Sequence, residues 1–188
     1  MKLHDAMRPS NKPGINRLTN VTFSSSLRIA LQIAIVSLAA YLAGHAFTSL
    51  FHGASASIGA LWSAISGIVV LQATQRDTWS SAGLRVLGTF IGAAISATYL
   101  SVLPFSILGM AVTVFLTVLL CHSARIPDHA RLASITVVVI MAAASLNPTL
   151  NPLQNAGLRF IESCIGTGIA VLAVLFGSDR QPKTPLQK

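Results

Sequence analysis

Charge is scarce in this chain, and negative charge is scarcer still. Of 188 residues only 10% are Asp, Glu, Lys or Arg, and just five are acids against thirteen bases. No pair of acids stands where general acid–base hydrolysis would need one. There are two cysteines, Cys121 and Cys164, each inside an apolar stretch. That is too few for a zinc cluster or a disulfide framework, so both read as packing residues, and no metal site is expected. No glycine-rich phosphate loop occurs, which argues against nucleotide hydrolysis and leaves no cofactor to expect. The stretch Gly53-Ala54-Ser55-Ala56 matches the short GxSx pattern of an intramembrane serine protease. That chemistry needs a histidine on another helix at the same depth, whereas His45, His52, His122 and His129 fall in or near predicted loops. An enzyme is not expected.

What the chain has is apolar length. It is 53% hydrophobic, with a mean hydropathy of +0.68, the composition of an integral membrane protein. No charged residue occurs from 29 to 75, room for two spans of about 20 residues with a turn at Phe51, His52, Gly53 and Ala54. A second uncharged run, 86 to 124, holds two more spans divided near Pro104. After Arg131, LASITVVVIMAAASL reads as a fifth span ended by Asn147, Pro148 and Pro152, and 156 to 176 as a sixth. The apolar runs are continuous and do not alternate, so an all-α membrane protein is predicted over a β-barrel. The expected layout is a polar tail (1–26), a six-helix membrane domain (27–177) and a second tail (178–188). A signal peptide is the bland reading of the first apolar segment, but that segment is longer than an h-region of about 7 to 15 residues. It is read as a retained helix.

The basic residues set the orientation. With both termini cytoplasmic, Lys2, Arg8, Lys12, Arg17, Arg28, Arg76, Arg85, Arg125, Arg131, Arg180, Lys183 and Lys188 share the inner side, and Arg159 alone falls outside. The same bias accounts for the net charge of +8. Dispersed among helix ends, these bases suit anionic lipid headgroups of the bilayer, not nucleic acid.

An internal repeat organises the rest. Ala82, Gly83, Leu84, Arg85, Ile91, Gly92 and Ile95 recur 74 residues later as Ala156, Gly157, Leu158, Arg159, Ile165, Gly166 and Ile169, and LQAT at 71–74 is echoed by LNPT at 146–149. Two repeats of three spans, about 27–103 and 104–177, have odd parity, so the second crosses the membrane inverted, as in many transporters. Arg85 and Arg159 then stand at opposite mouths of one path.

The residues ALWSAISGIVVLQAT (60–74), with Trp62, Leu71, Gln72 and Thr74, and GLRVLGTFIGA (83–93) resemble the fusaric acid resistance-like, or aromatic acid exporter, family, distantly related to plant aluminium-activated malate channels. The likeness covers roughly residues 27–176. It implies a six-helix unit in the bacterial inner membrane and efflux of aromatic carboxylic acids. Members often add a soluble domain or a second unit; this chain matches one six-helix unit, so a homodimer or a separate partner subunit is expected.

Each candidate residue has a plain reading beside the functional one. Arg85 and Arg159 either snorkel to headgroups or hold an organic anion by the guanidinium fork, with Ser80, Ser81 and Asn155 as nearby helix caps. Gln72, Thr74, Asn147 and Thr149 either close helix ends or donate to a bound carboxylate. Glu162, three residues after Arg159, is an intrahelical ion pair or a proton-titrating group that couples transport to a proton gradient; its counterpart in the first repeat is Gly88. Gly88, Gly92 and Ser96, matched by Gly166 and Ala170, form a small-residue stripe for helix packing. The leading expectation is a transporter or channel-like exporter of organic anions, aromatic carboxylates among them. A non-transporting membrane subunit that anchors a partner protein is the alternative.

Overall fold

The computed structural model describes residues 14–177 except Ala73, with side chains described from Ser26 onward. Among these residues regular structure is entirely helical: α1 (Gly14–Phe51), a short 3₁₀ turn (Gly53–Ser55), α2 (Ala56–Val70), α3 (Gln75–Val102), α4 (Ile107–Ser123), α5 (Pro127–Leu146) and α6 (Pro152–Gly177). Five segments are long and apolar enough to cross a membrane, while α4, at 17 residues, is a shorter apolar helix. Helix α1 begins at Gly14, inside the stretch expected to be a polar tail. Residues 1–13 and the second tail, 178–188, lie outside the described residues.

Local chemistry fixes the breaks. Leu103 is extended (φ −129°, ψ 140°) because it precedes Pro104, and α3 stops there. Ser106 caps α4 by accepting from the Gly109 amide at 3.0 Å. Pro127 opens α5 at a position where a missing N–H costs nothing, and Pro152 opens α6. Thr74 starts α3 earlier than the hydropathy suggests: its hydroxyl accepts from the Asp77 amide at 3.1 Å and donates to the Asp77 carboxylate at 2.6 Å. The polar stretch Gln75–Ser81 is thereby the first two turns of a helix, stabilised further by Asp77 at its positive end.

The packing has a simple order. Helix α1 lies along α2, α2 along α6, α6 along α3, α3 along α5, and α5 along α4. Exchanging α1 with α4, α2 with α5 and α3 with α6 gives the same order read backwards. Helices α3 and α6 occupy the centre and α1 and α4 the periphery.

The interior and exterior are reversed relative to a water-soluble protein. On α4 the buried positions are Gly109, Thr113, Thr117 and Cys121, while Ile107, Leu108, Phe115, Leu116, Leu119 and Leu120 point outward. Leu27, Leu31, Ile35, Leu38 and Leu42 likewise face out from α1. An apolar exterior around a hydroxyl-bearing interior is the arrangement that a lipid solvent stabilises.

Candidate functional site

The two largest fully buried side chains are Arg85 and Arg159, both at 0% exposure. Arg85 stands ten residues into α3 and Arg159 seven into α6, which at about 1.5 Å per residue is ~15 and ~10 Å from the helix starts. Neither sits at a mouth and neither snorkels. They are not at helix entrances because α3 begins at Gln75 and α6 at Pro152, each earlier than the apolar run suggests.

They anchor a connected polar core built from four helices. The Arg85 guanidinium donates to the Ser66 hydroxyl through Nη2 at 2.9 Å and Nε at 3.3 Å, and its Cζ lies 4.4 Å from the centroid of the Trp62 ring. Trp62 donates its indole N–H to the Arg159 carbonyl at 2.9 Å, so a single side chain of α2 touches both arginine residues. Arg159 Nη2 is 3.0 Å from Glu162 Oε1. That pair is close without the alignment of a hydrogen bond, since Nη2 is left without such a partner. Thr48 of α1 donates to the same Glu162 oxygen at 2.5 Å, and Ser63 of α2 donates to the Glu162 carbonyl at 2.8 Å. Thr89 and Ser163, themselves 74 residues apart, bond to each other at 3.1 Å where α3 meets α6. Ser66 reaches Ser163 at 3.3 Å.

Glycines make the close approaches that bring these groups together. A Cβ on Gly166 would strike the Ser63 carbonyl oxygen, and one on Gly92 the Ala133 carbonyl oxygen. Gly88 faces Leu132, whose Cβ would stand 2.8 Å from its own. The small-residue stripe expected to serve helix packing, between helices three and six or across a dimer interface, seats α3 on α5 and α6 on α2. Gly59 leaves a notch in α2: a Cβ there would meet Thr48 Oγ1 and Glu162 Oε1.

Charge balance is the chemically telling property of this core. It holds two guanidinium groups and one carboxylate, all at 0% exposure. Arg85 Nη1, Arg159 Nε and Nη1, and Glu162 Oε2 have no hydrogen-bond partner. A hydroxyl bonded to a charged group contributes about 1.5–3 kcal/mol and a desolvated ring face about 2. Removing a charge from water costs several kcal/mol, so Arg85 is only partly compensated. The arrangement is able to accept an anion.

The remaining predicted residues lie elsewhere. Gln72 is exposed in the α2–α3 loop and donates its side-chain amide to the Val69 carbonyl at 3.2 Å. Thr74, the cap of α3, is eleven residues from Arg85, roughly 16 Å along the axis. Asn147 ends α5 and lines a cleft of about 370 Å³ with Pro104, Phe105, Pro148 and Leu150; Thr149 is exposed in the same turn. The structure does not bring these four to the arginines. Ser81 and Asn155 lie within helices instead of capping them: Ser81 donates to the Val69 carbonyl at 3.3 Å and Asn155 to the Ile140 carbonyl at 2.9 Å. In the GxSx stretch His52 Nδ1 does meet Ser55 Oγ, at 2.7 Å. The Ser55 amide donates to the His52 carbonyl at 2.9 Å, so this contact closes the turn before α2, and among the described residues no acid orients the ring.

Thr48, Ser63, Ser66, Thr89 and Ser163 were not singled out from the sequence. The repeat carried a usable signal for one pair, because Thr89 and Ser163 are hydroxyl residues at matching positions of its two copies.

An all-helical, lipid-facing architecture around buried guanidinium groups is that of a multi-pass membrane protein with a polar core. The family model for fusaric acid resistance protein-like proteins matches residues 35–173, and the chain belongs to that family, one of membrane transporters and exporters. No curated protein and no solved structure matches it significantly.

Proposed function

We propose that the chain carries organic anions, aromatic carboxylates among them, across a bacterial inner membrane, with Arg85 and Arg159 as fixed positive charges within the path. The observation that carries this reading is the excess of buried cation over buried acid. A substrate carboxylate supplies the missing charge and matches the guanidinium fork. The path follows the α3–α6 seam, where Thr78, Arg85, Thr89 and Ser96 on one helix and Asn155, Arg159, Glu162, Ser163 and Thr167 on the other are all buried. From Thr78 to Ser96 the seam runs about 27 Å, close to the ~30 Å hydrocarbon thickness.

Six spans in two inverted repeats, with both termini cytoplasmic, fit the same reading. The palindromic packing order and the bond between the matching residues Thr89 and Ser163 support it, because a two-fold axis makes equivalent elements meet themselves. Glu162 is the proton-coupling group in this scheme. The chain works as a homodimer or beside a separate subunit.

Purified protein in proteoliposomes is expected to move benzoate, and Arg85→Gln or Arg159→Gln to reduce that flux by about tenfold or more. If the parent moves no organic anion and both variants retain full cellular function, the chain is instead a non-transporting subunit that anchors a partner.

A further inference from the structure

The two arginines are equal in burial and unequal in company. Arg159 has a carboxylate at 3.0 Å. Arg85 has none in contact among the described residues; it rests on the Ser66 hydroxyl and the Trp62 ring. In the first repeat the position matching Glu162 is Gly88, pressed against Leu132 and Ala133, where no acidic side chain fits. We propose that the transported anion binds at Arg85, in the place where Ser66 and Trp62 stand in for it, and that Glu162 is an internal carboxylate filling the equivalent place at Arg159. This rests on the reading of the chain as an organic-anion transporter and identifies the residues that form its site.

Three physical points carry the assignment. An anion approaching Arg159 meets the like charge of Glu162 at short range in a medium that screens poorly, whereas one approaching Arg85 meets only neutral groups. Arg85 Nη1 is an unused donor beside an Nη2 held by a hydroxyl, so a carboxylate displacing Ser66 gains the two-pronged geometry that one hydroxyl cannot supply. Finally, Trp62 is tied down at 2% exposure by its bond to the Arg159 carbonyl. A fixed indole beside the guanidinium is a wall suited to a flat ring, which selects aromatic over short aliphatic monocarboxylates.

The sequence has two tryptophans, Trp62 and Trp79, so in a Trp79→Phe background Trp62 alone reports on the site. In lipid nanodiscs, benzoate is expected to change Trp62 emission saturably and at lower concentration than acetate. Ser66→Asp places a carboxylate within reach of the guanidinium and should weaken apparent benzoate affinity about tenfold or more. Ser66→Asn, of equal bulk and no charge, should weaken it far less. Arg85→Gln should cost more affinity than the paired change Arg159→Gln/Glu162→Gln, and this comparison decides the matter if Ser66→Asp does not fold. Equal losses for Asp and Asn at 66, or a larger loss for the Arg159/Glu162 pair while the parent still transports benzoate, would overturn the assignment to Arg85 and leave anion transport standing. A parent that neither binds nor transports benzoate removes the functional reading itself.

Discussion

Helices α1–α3 and α4–α6 share a packing plan but not a chemistry. In the first half the buried polar side chains include Thr48, Ser55, Ser63, Ser66, Thr78, Thr89 and Ser96 around a single arginine. In the second half Arg159 comes with its own acid, and α5 contributes mainly Ala133, Val137, Ile140 and Met141. Where α6 meets the Ser63 carbonyl of α2 through Gly166, α3 meets the Ala133 carbonyl of α5 through the matching Gly92. The packing order thus gives two comparable places for a cation, and the groups beside each differ. Arg85 rests on one hydroxyl and an indole ring, whereas Arg159 has a carboxylate beside it.

The harshest way to break this comparison is all-or-none. Reporter fusions in the α4–α5 turn at 124–126 and the α5–α6 turn at 147–151 should report opposite sides of the membrane, the former cytoplasmic; the same side for both would end the inverted relation of the halves.

Next in size are the glycine contacts. Gly92→Val and Gly166→Val each drive a branched side chain into a backbone oxygen on the facing helix, which cannot rotate away. Each should destabilise by several kcal/mol, more than the ~1–3 of ordinary overpacking. Gly157→Ala, with open space beside it, serves as the control. Thermal unfolding in detergent measures the difference, and a mild effect at only one of 92 and 166 would show that the halves pack unequally.

The effect of Glu162→Gln, smaller than that of Glu162→Ala, sharpens the chemical contrast. Glu162→Ala leaves Arg159 buried and uncompensated and should cost about 3–5 kcal/mol. Glu162→Gln keeps an oxygen for Thr48, so it should cost less while removing any dependence of transport on a proton gradient. Flux measured with and without an imposed pH gradient checks this; an unchanged gradient response in Glu162→Gln would reduce the residue to an ion pair.

The helices and several of their breaks were legible because hydropathy and proline act locally: the chain turns at His52–Ser55, at Pro104 and at Asn147–Asn151. The two arginines were legible from the repeat. The depth of Arg85 was not, since it depends on where α3 starts, and the Thr74–Asp77 cap converts an apparently polar loop into helix. The hydroxyl network was hidden for a different reason. A serine or threonine in an apolar helix carries no periodic signal, and which helix it faces is set by rotation about the axis. Gln72 and Asn147 looked like ligands because they adjoin the repeat in sequence, yet helix length carries them away from the guanidinium groups.

Ser66 has one hydroxyl proton and two acceptors in reach, the Trp62 carbonyl at 2.8 Å and Ser163 Oγ at 3.3 Å, while Thr89 and Ser163 exchange donor and acceptor freely. Several proton arrangements therefore fit one set of heavy-atom positions. A core wired this way can reorient its dipoles without moving heavy atoms, and so has locally the character of a polarisable solvent enclosed by apolar helices.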